Sequence, residues 1–186
     1  MNDLWRWDRE ALLWINSHHN PVLDAILYPI SLAGEAAIFW FALCIVFLIF
    51  GKREHRMLAL TFIVTVAVVD RLIAAQLAHY FPRERPYLAM DWVRHMGVEW
   101  KGSSFPSGHA HSVWIAAFIF GDRWHKLIIP LVVFGLLTCY SRPYLGMHYP
   151  GDVLAGSVLG IAAGWTVVAA RHAWFRHKRK VEANEG

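Results

Sequence analysis

The sequence predicts an all-α fold, a polytopic bundle of membrane-crossing helices. Three observations predict it. First, 56% of the 186 residues are hydrophobic and only 17% are charged, too apolar for an ordinary soluble domain. Second, the apolar residues are gathered into five runs parted by polar or basic turns, the pattern of successive spans. Third, ten Trp and eleven Phe suit the aromatic belts found where helices leave a bilayer. The composition also argues against a nucleic-acid partner. The net charge is +4, but the cations sit at the ends of apolar runs rather than on one soluble face.

Taken in order, residues 3–17 place Leu4, Trp5, Leu12, Trp14 and Ile15 among charges. That pattern predicts an amphipathic helix lying on the bilayer surface. Asn20-Pro21 breaks it. Residues 22–32 form a second apolar helix, too short to span. Five spans follow at 36–50, 57–80, 108–120, 127–140 and 152–170. The third and fourth fall short of the roughly 20 residues a bilayer core asks for, so they borrow flanking residues. If residues 10–33 also cross, there is a sixth. The chain then reads as one integral-membrane domain over 1–186: N-terminal interfacial helices (1–33), a transmembrane core (34–170) and a basic tail (171–186). No leader peptide is expected, because residues 1–10 are polar and 11–15 are too short for an apolar leader core. Cys44 and Cys139 both lie inside apolar runs and read as small buried hydrophobes.

Lys/Arg placement orients the bundle. The turn at 51–56 carries three, the turn at 121–126 two and the tail five, ten in all. The opposite side carries five: Arg83, Arg85, Arg94, Lys101 and Arg142. The ten-cation side, with the tail, is expected to be cytoplasmic. Alternating spans then deliver every polar stretch suited to chemistry (82–86, 104–109 and 141–152) to the outer face.

Residues 141–152 read S-R-P-Y-L-G-M-H-Y-P-G-D. Arg142 offers a fork of donors that matches phosphate oxygens. His148 is a nucleophile or proton carrier usable near neutral pH. Asp152 follows one helical turn later, so its carboxylate can reach one imidazole nitrogen and fix the tautomer. In residues 104–109, Pro106, Ser107 and Gly108 form a tight turn into a helix start. Gly108 lets backbone approach a ligand, successive N–H groups make an anion nest, Ser107 adds a hydroxyl and His109 sits in the first turn. His111 faces elsewhere and reads as structural. In residues 82–86, an extended segment would point Arg83 and Arg85 to the same side. The plainer reading of each stretch is a helix cap, a satisfied polar pair or a headgroup-level arginine. His109, His111 and His148 as zinc ligands are disfavoured, because arginines beside them would weaken metal binding.

Together these residues resemble the type 2 phosphatidic acid phosphatase (PAP2) superfamily. Its motifs are K-x6-R-P, P-S-G-H and S-R-x5-H-x3-D. The third is complete as Ser141-Arg142, His148 and Asp152, and the second as Pro106 to His109. The first matches at Arg85-Pro86, but Ala78 stands at the lysine position. The resemblance implies a PAP2/haloperoxidase-like core, a phosphohistidine on His148 and orientation by Asp152. It implies that His109 protonates the leaving oxygen and then activates water. Arg85, Arg142, Ser107 and Gly108 would hold the phosphoryl oxygens, with no metal and no cofactor. Arg83 is the favoured replacement for the missing lysine, ahead of Arg71. Asp70 and Arg71, inside the second span, are candidates by default, with a structural ion pair preferred. Glu35 is a weaker one.

The implied activity is hydrolysis of a lipid phosphate at the outer face of the cell (inner) membrane. The chain resembles the membrane lipid phosphatase branch, and most of all the bacterial undecaprenyl pyrophosphate phosphatases. Alternatives within the class are a phosphatidylglycerophosphate, phosphatidate or lipid A phosphatase, or a lipid phosphotransferase. A lipid transporter or membrane scaffold would explain the spans, but not two histidines, two arginines and an aspartate meeting on one face. Residues 87–104 are expected to set substrate choice. The oligomeric state is not legible in the sequence.

Overall fold

In the computed structural model, which describes residues 3–34 and 38–185, those residues form helices and loops with no strand. The helices are α1 (Asp3–Ser17), α2 (Pro21–Gly34), α3 (Ile38–Phe50), α4 (Arg53–Val68), α5 (Ala75–Tyr80), α6 (Pro86–Ala89), α7 (Gly108–Arg123), α8 (Ile128–Tyr144) and α9 (Pro150–Glu185). A π turn over Val69–Ala74 joins α4 to α5, giving one rod of 28 residues, Arg53–Tyr80. Among the described residues, three helical stretches are long and apolar enough to cross a membrane: Arg53–Tyr80, His125–Tyr144 and Pro150–Asn184. Pro21–Leu32 and Phe39–Phe50 are shorter apolar helices.

The boundaries differ from the sequence reading in three places. Ser141 and Arg142 lie inside α8, not in the following loop, because α8 runs on to Tyr144. Pro143 is tolerated there, close to the helix end. The fifth span does not stop at residue 170. Its helix continues through the basic tail to Glu185, since residues 171–185 contain neither Gly nor Pro to end it. The N-terminal helix is also no mere surface float. Leu12 is fully buried against Met90, Val93 and Tyr149, while Trp7 and Trp14 on the opposite side stay exposed.

The bundle is organised around α7, which packs along α9 and also against α8 and α4. Gly156, Gly160 and Gly164 recur every fourth residue and line one face of α9. A methyl group added at Gly156 would fall 3.0 Å from Ala110 Cβ, at Gly160 2.7 Å from His111 Cα, and at Gly164 2.7 Å from Phe118 Cβ. This small-residue stripe brings two backbones into direct contact. The other face of α9 presents Leu154, Val158, Ile161 and Trp165, all exposed. One side of the helix is therefore cut for protein and the other for lipid.

The core sits in the half of the bundle away from the motifs. Trp40 of α3 stacks on Phe120 of α7 at 5.7 Å, and Phe62 of α4 meets the same ring at 5.5 Å. Cys44, Leu58, Ala59, Val113, Ile115, Ala116 and Ile119 close around them. Both cysteines are free, Cys44 buried and Cys139 half-buried. Large apolar side chains such as Phe50, Val64, Leu72 and Ile129 remain exposed, as expected of a surface solvated by lipid tails.

The α7–α9 contact yields a first test. Gly160→Val forces a branched side chain against the His111 backbone. Overpacking of this kind costs about 1–3 kcal/mol, so the detergent thermal-unfolding midpoint should fall by roughly 2–10 °C. An unchanged midpoint would mean that the two helices are not held at this distance.

Candidate active site

Three hydrogen-bonded seams bring the motifs together at one end of the bundle. The Ser104 N–H donates to the Arg83 carbonyl at 2.7 Å, joining the loop after α5 to the approach to α7. The Ser107 N–H donates to the Asp152 carbonyl at 3.0 Å, joining the head of α7 to the head of α9. The Met147 N–H donates to the Arg142 carbonyl at 3.0 Å, folding the α8–α9 link back on itself. That fold requires Gly146, whose φ is +73° and whose added Cβ would fall 2.8 Å from Val93.

His148 is 3% exposed. Its Nδ1 lies 2.8 Å from the Ser104 carbonyl and 3.8 Å from Asp152 Oδ2. A carbonyl only accepts, so Nδ1 carries the proton and Nε2 keeps its lone pair. The sequence reading gave this orienting task to Asp152. In the structure the direct hydrogen bond goes to the Ser104 carbonyl, and the carboxylate adds its charge from slightly further away. A backbone acceptor leaves no mark in side-chain identity, which is why the sequence hid it. His148 Nε2 receives an N–H from Arg85 at 3.2 Å. Burial lowers the His148 pKa to about 4; the nearby Asp152 carboxylate opposes the shift, while Arg142 and Arg85 reinforce it.

A cavity of about 430 Å³ opens in front of Nε2, lined by Arg85, Gly108, His109, Arg142 and His148. Arg85 also donates to the Met147 carbonyl at 3.2 Å, and burial lowers its pKa. Arg142 is 1% exposed and donates to Ser31 Oγ of α2. Ser107 is the N-cap residue of α7, but its side chain makes no cap bond. Its Oγ, together with Arg85 Nε and His109 Nε2, is buried without a hydrogen-bond partner among the described residues. The first-turn N–H groups of a helix have no partners within it, so the α7 start adds backbone donors and a favourable dipole. The His109 and His148 rings are 6.5 Å apart between centroids.

Arg83 lies elsewhere. It was expected to grip phosphate in place of the missing lysine, but it does not line the cavity. Its Nη1 lies 2.6 Å from Asp8 Oδ2 and 2.7 Å from Asp152 Oδ1, and its guanidinium stacks 3.6 Å from the Tyr149 ring centre. The two arginines of 82–86 therefore diverge, because the carboxylates of Asp8 and Asp152 capture Arg83. Asp8, which sequence reasoning missed, also accepts from the Gly151 N–H at 2.7 Å. Asn16 was missed too. Its amide group donates to the Arg94 and Tyr144 carbonyls and accepts the Arg94 N–H, each at 2.9 Å. A charged surface helix masks such roles, since most of its charged residues read as solvated.

Asp70 and Arg71 both line the cavity, although neighbours on a regular helix would diverge. The π turn that contains them widens the helix and turns less per residue. Asp70 Oδ1 lies 3.0 Å from Nε2 of the fully buried His111, short of good hydrogen-bond direction. Glu35 lies outside the described residues. Among those residues, no three His, Cys, Asp or Glu side chains gather as a metal ion would need.

The family pattern of the PAP2 superfamily matches residues 56–176, which covers every motif and four of the five predicted spans. The chain belongs to the PAP2 superfamily and is a membrane lipid phosphatase of that type. An undecaprenyl-diphosphatase, BcrC of Bacillus subtilis, is 36% identical over 153 residues, covering 80% of this chain and 75% of that one. A lipid A 4'-phosphatase of Bacteroides thetaiotaomicron is 30% identical over 181 residues, covering 89% and 77%. Among solved structures, the PAP2-type phosphatidylglycerolphosphate phosphatase of Bacillus subtilis superposes with a TM-score of 0.72 at 22% identity, over 93% of this chain and 88% of that one. LpxE of Aquifex aeolicus gives 0.70 at 23%, over 86% and 93%. These likenesses establish the all-helical PAP2 membrane fold.

The geometry yields two tests. If neutral His148 is the nucleophile, its acid limb in kcat/KM falls near pH 4 and not near 6.5, because the buried ring gives up its proton early. A limb at 6.5 would assign the titration to another group. The second test separates the arginines. Arg85→Gln should weaken vanadate inhibition about 10- to 100-fold, the worth of one charged hydrogen bond. Arg83→Gln should leave vanadate inhibition within about threefold while lowering the thermal midpoint, since it strips the cation from the fully buried Asp152 and the part-buried Asp8.

Proposed function

We propose that the protein hydrolyses a polyprenyl diphosphate, undecaprenyl diphosphate in bacteria, releasing phosphate at the outer face of the cell membrane. The observation that carries the reading is the pairing of two walls in one cavity. One wall holds Arg85, His109, Arg142 and His148; the other holds Phe41, Ile63, Val66 and Ala67. An anion with an apolar tail fits both at once. The names of relatives support the diphosphate: the Bacillus protein is an undecaprenyl-diphosphatase, and so is a relative from Sulfolobus acidocaldarius, 28% identical over 159 residues.

The chemistry follows from the geometry. In the substrate-free site, Arg85 donates to the lone pair of His148 Nε2. A phosphoryl oxygen is the stronger acceptor for a guanidinium, so arrival of substrate draws Arg85 away and exposes the nucleophile. Nε2 attacks phosphorus, and the P–O bond to the lipid phosphate breaks. The electron pair stays on the departing oxygen, which takes a proton from His109. Asp152 stabilises the positive charge that develops on the His148 ring. Water, deprotonated by His109, then attacks the phosphohistidine, releasing phosphate and restoring Nε2. Arg85, Arg142, the Ser107 hydroxyl and the α7 N–H groups hold the equatorial oxygens, where positioning and charge do most of the work.

The sidedness rests on the cation count, with ten Lys/Arg at the end that carries the tail and seven at the end that carries the motifs, once Arg6 and Arg9 of α1 are added to the five of the loops. The site then faces the periplasm or exterior and the tail faces the cytoplasm.

The test is phosphate release by detergent-purified protein in chelator. Undecaprenyl diphosphate, phosphatidylglycerophosphate, phosphatidate and lipid A are offered side by side, with His148→Ala as control. The diphosphate is expected to be cleaved fastest, and His148→Ala to abolish release. Faster release from lipid A or a glycerophospholipid would overturn the substrate. A fully active His148→Ala protein would overturn the mechanism, and release only when a second lipid accepts the phosphate would make the protein a transferase.

A further inference from the structure

We infer that Arg71 forms a second anion subsite, which holds the phosphate that stays on the lipid and makes the cavity selective for diphosphates. The inference rests on the phosphohistidine reading above.

The depth of Arg71 is fixed by its neighbour. Asp70 Oδ1 lies 3.0 Å from His111 Nε2, so the π turn stands level with the first turn of α7. That turn carries His109, the group placed on the leaving oxygen. Asp70, Arg71, His109 and Ser112 line the same cavity. Arg71 therefore lies on the leaving-group side of the reacting phosphorus, next to Asp70, whose Oδ1 is turned toward His111 Nε2.

The apolar wall leads to it. Ile63, Ala67 and Arg71 are spaced by four residues, one face of the rod, and all three line the cavity. A prenyl chain lying along Ile63 and Ala67 brings its first phosphate to Arg71 and its terminal phosphate to Arg85 and Arg142. An arginine within a span is costly unless it faces a cavity or a partner. A π turn placed at the same point, Val69–Ala74, is the kind of irregularity that helices keep at functional sites.

The chemistry predicts a selective effect. When a monophosphate is cleaved, the departing oxygen takes the His109 proton and leaves as a neutral alcohol. When a diphosphate is cleaved, the electron pair of the broken P–O bond goes to the bridging oxygen, and the leaving group is itself a charged phosphate. A cation beside it stabilises only the second departure.

The test compares farnesyl diphosphate with farnesyl monophosphate, which share one tail and differ by one phosphate. Arg71→Ala should lower kcat/KM for the diphosphate about 10- to 100-fold and leave the monophosphate within about threefold. Arg71→Lys should recover part of the loss, as a point cation without the fork. Arg71→Met keeps the aliphatic stem and serves if Arg71→Ala elutes as aggregate. Equal losses on both substrates, or no loss on either, would overturn the subsite while leaving the phosphatase reading intact. A wild-type protein that cleaves only the monophosphate would overturn the subsite as well. Cleavage of neither would overturn the reading on which it rests.

Discussion

A fully buried carboxylate at the head of α9 holds the active end of this molecule together. Asp152 accepts from Arg83 at Oδ1 and from the Tyr149 N–H at Oδ2, while its own carbonyl receives the Ser107 N–H. A buried charge is tolerated only when such partners replace water. The partners come from α1 by way of Asp8 and Arg83, from the loop after α5, and from the start of α7. Each stretch that carries chemistry is thus anchored to the residue that also stabilises the nucleophile. Charge on Asp152 is a condition of the local fold before it is a catalytic aid.

The glycine stripe provides the complementary constraint. Lipid tails are as apolar as the side chains between helices, so burial alone does not press helices together in a bilayer. Close packing of α7 on Gly156, Gly160 and Gly164 replaces that missing drive, and it is directional. It sets α7 and α9 at a distance where His109, at the first turn of one, faces His148, just before the other. The reaction geometry therefore depends on methyl groups that are absent some way down the bundle. The same stripe leaves the lipid-facing side of α9 free to carry large apolar residues, so one helix solves both problems.

Much of this was legible in the sequence because the signals were local. Apolar runs gave the helices, and the order Arg85, Ser107-Gly108-His109, Arg142, His148, Asp152 carried the family resemblance. What stayed hidden was relational. Arg83 and Arg85 look equivalent two residues apart, and the positions of Asp8 and Asp152 separate them. Asp8 and Asn16 sit in a helix whose charges look solvated, yet they pin it to the outer loops. The Ser104 carbonyl that sets the His148 tautomer has no side-chain signature at all. Asp70 and Arg71 seem to diverge until a π turn, which hydropathy does not register, carries both into one cavity. Periodicity reports the faces of ideal helices, so it fails where a helix departs from the ideal, and here that departure lies in the cavity wall.

The charge balance of the cavity explains why these parts fit an anion rather than merely tolerate one. Among the described residues, Arg71, Arg85 and Arg142 line it against one lining carboxylate, Asp70. Asp152 stands behind His148, not among the cavity-lining residues. Gathering cations in a low-dielectric cleft costs free energy in the empty protein, and that cost is held by the surrounding fold through contacts such as Arg142 to Ser31 and Arg85 to the Met147 carbonyl. A phosphate group relieves the cost when it binds, and relieves it more as charge grows on its oxygens toward the transition state. A neutral His148 is part of the same balance. An imidazolium there would add a further positive charge and remove the lone pair, so the electrostatics that attract the substrate also keep the nucleophile in its reactive form.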